Sequence, residues 1–347
     1  FTCYTKTIIL MKTNIQAILF ETIKMRLNSH NTFGHVISEI LNISLDAVYR
    51  RFRGETSLTI QETKKLCSYF DISFDSLINA GNGEVIFQYP PLNTYDFSLE
   101  SYLQDIVDSF KKIKQTTDPQ LFLSVNNTHF FQLLNLPQLV RFRLYFWAKT
   151  HLQIKTYENE LFKHEKTTAR AFDLGKEILQ MYNSIPSFEI IDPELMRGFL
   201  RQILYYFKAH MFEDPSYALF LCDRVLMFAE HLKEQAIIGK KFIYGTNAPF
   251  TGNDFQLYLN ETINSDSNIY YSSKESTGVF ITHNVMNYLH TTNKNYVSDT
   301  KQIIDKQLAN SSLLSKTNEK ERNNFFFEFE KTIRIFRNKI EADIDFS

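Results

Sequence analysis

The fold of the N-terminal part of this chain is decided by residues 37–54, whose sequence is Ile-Ser-Glu-Ile-Leu-Asn-Ile-Ser-Leu-Asp-Ala-Val-Tyr-Arg-Arg-Phe-Arg-Gly. The pattern predicts two short helices joined by a tight turn. Asn42 occupies the turn, where a residue that tolerates a positive φ is needed. Ser44 is placed to cap the second helix by accepting a backbone N–H of its first turn. On that helix Val48 and Phe52 are four residues apart, which predicts an inward face.

Three further helices are predicted around this pair. Apolar residues recur at three-to-four spacing over residues 14–28, a pattern typical of an amphipathic helix. A fourth helix is expected over about residues 59–70, and a short fifth one begins at Ser73. Five short helices in so few residues predict a compact helix-turn-helix domain over residues 11–80.

Two segments next to this domain are expected to lie outside it. Residues 1–10 are apolar but precede Met11, where we expect translation to start naturally, so we interpret them as an upstream extension. Residues 81–96 contain the densest cluster of Gly and Pro in the chain and are predicted to be a linker.

The five-helix domain resembles the Cro/C1-type, phage-repressor-like helix-turn-helix family over about a fifth of the chain. The resemblance rests on turn, cap and core positions, namely Ile43-Ser44, Val48, Arg53-Gly54, Leu66, Ile72-Ser73 and Leu77. Ser38 stands where that family has a small residue that lets two helices cross closely. The chain departs from the family at Asn42, where Gly is common, and at Arg51-Phe52, where an apolar residue followed by Glu is common. The remainder is similar to uncharacterised regulators of Bacteroidetes-type bacteria.

This resemblance implies binding to double-stranded DNA, with the second helix of the pair in the major groove. Base-edge contacts are expected from Ser44, Leu45, Asp46, Tyr49 and Arg50. Phosphate contacts are expected from Arg51, Arg53, Thr56, Ser57 and Lys64. An arginine at the base edges favours guanine, and an aspartate can accept a hydrogen bond from the cytosine amine.

The charge of the chain limits how strongly one copy can bind DNA. The net charge is −1, so attraction to phosphates must come from a local basic face. Between Ser44 and Lys65 there are five basic residues against three acidic ones, which is a modest excess. We therefore expect a homodimer that binds paired half-sites.

The rest of the chain, residues 97–347, predicts a larger helical domain. Apolar stripes recur at helical spacing to about residue 240, and Asp192-Pro193 and Asp214-Pro215 are typical helix starts. Over about residues 241–285 short alternating runs predict three or four antiparallel strands. The expected fold is therefore mainly α: a five-helix domain followed by a larger α-helical domain with a small antiparallel β-insert.

Near the C-terminus the apolar residues follow the spacing of a coiled-coil seam. These residues are Phe326, Phe329, Ile333, Phe336 and Ile340. Two interpretations remain open: the seam packs into its own domain, or it pairs with a second chain and contributes to dimerisation.

Sequence motifs for catalysis and for cofactor binding are missing. The chain has no Gly-rich phosphate loop, no nucleophile elbow and no Cys/His metal cluster. The three cysteines are far apart, as expected for reduced thiols in a cytoplasm. No run of about 18 apolar residues predicts a membrane helix. We predict a cytoplasmic bacterial transcriptional regulator that is not an enzyme, uses no cofactor, and has a dimerisation or sensor domain for a small-molecule or protein effector.

Two alternatives come from other functional classes. The chain is a protein–protein interaction scaffold if its N-terminal helical bundle does not bind DNA. It is an enzyme if the region of His283, with His290 nearby and Asp254 upstream, forms an acid/base site. A core or hydrogen-bonded histidine is the commoner role for such a residue, so the enzyme is the weakest of the three readings.

Overall fold

The computed structural model describes residues 14–27, 33–78, 85–92, 97–124, 130–163, 168–246, 252–262 and 267–345. The chain divides into two compact units, a small unit, Phe1–Ile86, and a large unit, Phe87–Ser347. Residues 1–10, the expected upstream extension, lie outside the described ranges.

The small unit is a bundle of short helices around one apolar core. Its described helices are α1 (Ile15–Arg26), α2 (Phe33–Leu41), α3 (Leu45–Phe52), α4 (Ile60–Tyr69) and α5 (Phe74–Ile78). Side chains from four of them are fully buried at its centre, namely Phe20, Ile23, Ile37, Val48 and Leu66. The rings of Phe20, Phe33 and Phe52 meet edge to face. This aromatic contact joins α1, α2 and α3, so the inward face predicted for α3 is confirmed at Val48 and Phe52.

The turn between α2 and α3 has the predicted conformation. Asn42 has a φ of 56°, in the left-handed region. The Ser44 hydroxyl accepts a hydrogen bond from the Ala47 N–H at 3.3 Å and so caps α3. Ser38 donates its hydroxyl to the Ile43 carbonyl at 2.5 Å, which ties the end of α2 to the turn. Each of these contacts is local in sequence, so the turn sets the direction of α3 relative to α2.

The left-handed conformation at Asn42 leads to a stability prediction. Asn42→Gly should leave the free energy of unfolding within about 1 kcal/mol of the natural value, because glycine adopts this region without strain. Asn42→Val should lower it by about 1–2 kcal/mol, since a β-branched side chain is strained there. Urea unfolding of the full chain by far-UV circular dichroism measures the difference.

Trp147, the chain's one tryptophan, lies in the large unit, so the unfolding transition followed by its fluorescence should not move. Equal stability of the two variants would contradict the prediction.

The large unit combines helices with a sheet. Its described α-helices are α6 (Leu99–Lys114), α7 (Phe130–Leu133), α8 (Pro137–Phe146), α9 (Ala169–Asn183), α10 (Arg197–Lys208), α11 (Tyr217–Ile238), α12 (Lys294–Ala309) and α13 (Glu319–Asp345). A π-helical turn, Trp147–His151, continues α8, and a 3₁₀ turn follows at Lys155–Tyr157. The strands are β1 (Gln120–Ser124), β2 (Ser187–Ile191), β3 (Phe255–Leu259), β4 (Asn268–Ser272), β5 (Thr277–Asn284), β6 (Asn287–Thr291) and β7 (Ser312–Leu313).

The sheet overturns the expected mainly-α fold with a small antiparallel insert. Seven strands form one mixed sheet in the order β6-β5-β4-β1-β2-β3-β7. At its centre β1, β2 and β3 are parallel, and β4, β5 and β6 continue from β1 as an antiparallel meander. The predicted strand at residues 241–245 is not formed. The sheet is therefore a central layer of the large unit rather than an insert.

The sequence pattern missed four strands, β1, β2, β6 and β7. Two of them, β1 and β2, are short and lie between helices. In β1 every residue after Gln120 is buried, and in β2 every residue except Phe188 is buried. A strand covered on both faces has no alternation of apolar and polar residues, so its pattern is that of a short apolar run. Such a run cannot be distinguished from part of a buried helix by periodicity.

The two faces of the sheet contact different helices. On one face Leu121, Leu123, Phe255 and Leu257 join the main helical core. On the other face α12 packs against the sheet through a smaller cluster that contains Phe122, Tyr270, Val279, Val297 and Ile304. The sheet thus lies between two apolar layers.

The apolar seam of the last helix is inside the large unit. Phe326, Phe329, Ile333, Phe336 and Ile340 are all buried in the main core, and α13 contacts α10 and α11. Those five side chains are thus covered by helices of their own chain, so a dimer surface on α13 would have to use its opposite face.

Part of the predicted linker, residues 85–92, is described. Gln88 pairs with His290 of β6 through two backbone hydrogen bonds of 2.7 and 3.0 Å. The Asn287 side chain donates to the Pro90 carbonyl at 2.6 Å. These residues are attached to the edge of the sheet in the large unit.

A polar cluster is buried where β2 meets the main core. Glu189 and Lys241 are 1% and 0% exposed. The Tyr182 hydroxyl and the Ser187 hydroxyl both donate to Glu189 Oε1, the latter at 2.7 Å. Lys241 Nζ donates to the Ile185 carbonyl at 2.6 Å and lies 3.9 Å from the centre of the Tyr182 ring. Burial lowers the pKa of Lys241 to about 7, although the neighbouring Glu189 acts in the opposite direction.

Candidate nucleic-acid interface

Helix α3 presents a continuous polar and aromatic face to solvent. Val48 is buried, whereas Leu45, Asp46, Tyr49 and Arg50 are exposed. The first turn begins at the Ser44 cap, so the hydroxyl of Ser44 is already used to hold the helix. The five residues predicted to contact base edges therefore lie together, four of them on an exposed surface and one at the helix start.

The arginine on this face is weakly held. Arg50 Nε lies 2.9 Å from Asp46 Oδ2, one helical turn earlier, and the two side chains are 59% and 67% exposed. An ion pair this exposed contributes little stability. Arg50 can therefore leave the Asp46 carboxylate and bind another acceptor with little loss of stability.

Arg51, which was predicted to contact phosphate, is held inside the small unit. Its guanidinium lies 2.9 Å from Glu62 Oε1 of α4, and Nη1 donates to the Ala47 carbonyl at 3.2 Å. The side chains of Arg51 and Glu62 are only 15% and 16% exposed. Glu62 also completes a capping box by accepting the Thr59 N–H at 2.8 Å. Burial alone would raise the pKa of Glu62, but the hydrogen bonds from Thr59 and Arg51 outweigh it and lower the pKa. Arg51 thus joins α3 to the start of α4.

The remaining predicted phosphate contacts are exposed. Arg53 forms an ion pair with Glu55 at 2.6 Å, with both side chains about half exposed. The hydrogen bond from Arg53 lowers the pKa of Glu55. Thr56 and Ser57 follow in an exposed loop. All three arginines of this segment therefore have an acidic neighbour, which explains why its net basic charge is small.

Lys64 lies apart from the other phosphate candidates, on a groove between α2 and α4. The groove has a volume of about 890 Å³ and is lined by Val36, Glu39, Ile40, Gln61, Lys64, Lys65, Ser68 and Tyr69. Its walls thus combine apolar side chains with two lysines and one glutamate.

One positioning residue of this surface was missed by the sequence analysis. Gln16 of α1 donates its amide to the carbonyls of Arg51 and Thr56, at 2.6 and 2.9 Å. Its amide oxygen accepts the Leu58 N–H at 2.7 Å. One side chain thus fixes the loop that follows α3 by three hydrogen bonds. The only signal in the sequence is a polar residue in the first turn of an amphipathic helix, which does not indicate a partner about 40 residues away.

A family model described as the BetR domain matches residues 10–91. This segment is similar to the BetR domain. No curated protein and no solved structure matches the chain. The BetR-like segment is about a quarter of the chain and contains all five described helices of the small unit. The resemblance to Cro/C1-type proteins stays a prediction.

The histidines proposed for an acid/base site do not meet the acidic residue. His283 lies on β5 and its ring contacts Tyr89, whereas His290 on β6 is stacked on Phe280 with ring centres 4.3 Å apart. Asp254 precedes β3 and pairs with Lys240 at 3.4 Å. Three strands separate β5 from β3, which is about 19 Å at the usual strand spacing. The sheet therefore separates Asp254 from both histidines.

Metal-ligand clusters and membrane-spanning helices are missing from the described ranges. Within them, no group of three His, Cys, Asp or Glu side chains is close enough to hold a metal ion. Within the same ranges, no helix has the length and apolar character needed to cross a membrane.

Proposed function

We propose that this protein is a sequence-specific DNA-binding transcriptional regulator that uses α3 as its recognition helix. The observation that carries the proposal is the exposed face of a capped helix whose opposite face packs into the core through Val48 and Phe52. Leu45, Asp46, Tyr49 and Arg50 on that face supply an apolar group, an acceptor, a phenol and a fork of donors. These are the groups that distinguish bases in the major groove.

Within this proposal the surrounding residues set affinity. Arg53, Thr56 and Ser57 lie just beyond the end of α3, where phosphate contacts fix the orientation of a helix in the groove. Gln16 holds the loop that carries Thr56. Arg51 acts indirectly, by keeping α3 and α4 together.

The large unit would provide the second half of the function. Each arginine of this surface has an acidic neighbour, so one copy of the chain should bind phosphates weakly. We therefore propose a homodimer that contacts two half-sites. We place the protein in a bacterial cytoplasm and assign it no cofactor. The large unit would dimerise and respond to a small-molecule or protein effector.

A second candidate function is a protein–protein interaction scaffold. The observation that favours it is the groove between α2 and α4, because its lining combines the apolar groups of Val36, Ile40 and Tyr69 with two lysines. On this alternative the small unit binds a protein and has no affinity for DNA.

Salt dependence separates the two functions. The full chain is titrated with labelled fragments selected from genomic DNA, and binding is followed by fluorescence anisotropy over a series of salt concentrations. A dimer that neutralises phosphates with Arg53 and Lys64 of each subunit should lose affinity with a log–log slope of about −3.6, at roughly −0.9 for each of four phosphates. The selected fragments should contain two symmetric half-sites. Absence of binding at the lowest salt would contradict DNA binding and favour the scaffold.

A further inference from the structure

Arg143 of α8 is a buried charge without a carboxylate neighbour among the described residues. It is 5% exposed. Nη1 donates to Gln202 Oε1 of α10 at 3.4 Å, which is long, and Nε has no hydrogen-bond acceptor within the described ranges. Arg50, Arg51, Arg53 and Lys241, by contrast, each have a carboxylate or carbonyl oxygen within about 3 Å. The Arg143 guanidinium therefore has spare donors.

The walls around this guanidinium are aromatic. Its central carbon lies 5.1 Å from the centre of the Trp147 ring and 5.0 Å from that of Phe199. The faces of two rings attract a cation and partly offset the cost of burying it. The rings supply no hydrogen-bond acceptor, so they leave the spare N–H donors of Arg143 without partners.

The Arg143 guanidinium is charged at neutral pH. Burial lowers the pKa of Arg143 to about 10, which leaves the guanidinium charged at neutral pH, and the phenol of Tyr288 acts in the opposite direction. Burial lowers the pKa of His151, and Arg143 lowers it further, so this imidazole is neutral at pH 7. Gln202 and Tyr288 add neutral polar groups. The guanidinium itself therefore carries a charge of +1.

The backbone beside Arg143 is irregular. Immediately after α8 the chain forms the π-helical turn Trp147–His151. Such turns are rare in proteins as a whole, but those that occur are frequently found at functional sites. Lys149 within that turn donates to three carbonyls, those of Tyr157, Glu158 and Glu160, at 2.7–2.9 Å. The turn is thus held in place by the following loop, and it is the element that carries Trp147 next to the guanidinium.

We propose that Arg143 anchors a binding site for a small organic carboxylate with an apolar body. The planar fork of an arginine matches a carboxylate, and a charge of +1 matches a charge of −1. A phosphate monoester carries about −1.5 to −2 at neutral pH and would remain partly uncompensated. Trp147 and Phe199 provide apolar walls for the rest of the ligand.

Gln202 is the residue that the ligand replaces. Its amide oxygen is a neutral acceptor at the place where an anionic one would bind, and its contact with Arg143 is long. Gln202 and Trp147 are both partly exposed, so rotation of the Gln202 side chain opens the guanidinium to solvent. The carboxylate then accepts the hydrogen bonds that Gln202 gives up. A role of this ligand as effector rests on the proposed function, whereas the site itself does not.

The chain's one tryptophan makes the site directly measurable. The full chain is titrated with acetate, butyrate and cyclohexanecarboxylate, with butyramide as the uncharged match and inorganic phosphate as the other anion, while Trp147 fluorescence is recorded. A saturable change is expected with butyrate or cyclohexanecarboxylate, and none with butyramide. Arg143→Met should abolish it, and Arg143→Lys should weaken the affinity at least tenfold, because the charge remains but the fork is lost.

Two controls make the outcome decisive. Arg143→Met exchanges a buried cation for an apolar side chain of similar length, so this variant should melt at or above the natural temperature. Arg50→Ala, which alters only the proposed DNA surface, should respond to butyrate like the natural chain. No saturable response to any of the three carboxylates would overturn the site, as would an unchanged response in folded Arg143→Met. A response to phosphate alone would overturn the carboxylate as its ligand.

Discussion

Arg50→Ala is expected to lower the affinity for the selected DNA site by roughly tenfold to a hundredfold, since a bidentate arginine–guanine pair contributes about 1–3 kcal/mol of discrimination. The fold should be unaffected, because Arg50 is 59% exposed and its ion pair with Asp46 is a surface pair. The affinity for a scrambled duplex should fall much less. Fluorescence anisotropy with the two duplexes, at one fixed salt concentration, measures both values.

Arg53→Ala is the matched control for Arg50→Ala. It removes one positive charge from a similarly exposed ion pair three residues further along the chain. As a phosphate contact, Arg53 should add to the affinity for both duplexes equally, and its removal should reduce the salt slope by about 1 per contact. If Arg50→Ala weakened both duplexes to the same extent, or neither, α3 would not be reading bases.

Lys241→Met is expected to raise the free energy of unfolding of the large unit by about 2 kcal/mol at pH 7. Burial lowers the pKa of Lys241 to about 7 despite the neighbouring Glu189, so the unfolded chain binds the proton more readily and stability at pH 7 is reduced. The Ile185 carbonyl would lose its donor in the variant, which offsets part of the gain. Urea unfolding followed by Trp147 fluorescence reports on the large unit.

A double variant tests the origin of that gain. Lys241→Met combined with Glu189→Gln also removes the carboxylate charge, so it should be at least as stable as Lys241→Met alone. If Lys241→Met were less stable than the natural chain and the double variant recovered the loss, compensation of Glu189 by the lysine would outweigh the cost of burying the lysine.

The pH dependence gives a second readout of the same lysine. Its pKa is lowered from 10.5 in the unfolded chain to about 7 in the folded one. Between these values the unfolded chain binds the proton more often, so stability rises with pH. Lys241→Met should lack this rise, and an unchanged pH profile in the variant would show that Lys241 does not titrate in this window.

Local structure in the small unit could be predicted from the sequence because its causes are local. The positive φ of Asn42 and the cap from Ser44 to Ala47 each depend on residues within one turn of each other. The inward position of Val48 follows from helical spacing. The exposed face of α3 then follows as well, since a helix that buries one side presents the other.

The partners of those exposed residues depended on chain segments far apart in sequence. Arg51 looks like its neighbours Arg50 and Arg53 in the sequence, yet its carboxylate partner is Glu62 on another helix. Gln16 contacts a loop about 40 residues away. The spacing of apolar residues does not show which long side chain will contact which distant acceptor. The roles of these two residues are therefore visible only in the folded unit.

The sequence by itself determined the helix pair at residues 37–54, its turn and its cap, because backbone sterics and side-chain-to-backbone hydrogen bonds act between near neighbours. Only the tertiary structure decided that the large unit is built on a seven-stranded mixed sheet. β1 and β2 are five-residue runs whose hydrogen-bond partners lie more than 60 residues away. A strand buried on both faces lacks the alternation that would distinguish it from a helix, so only the pairing itself makes it a strand.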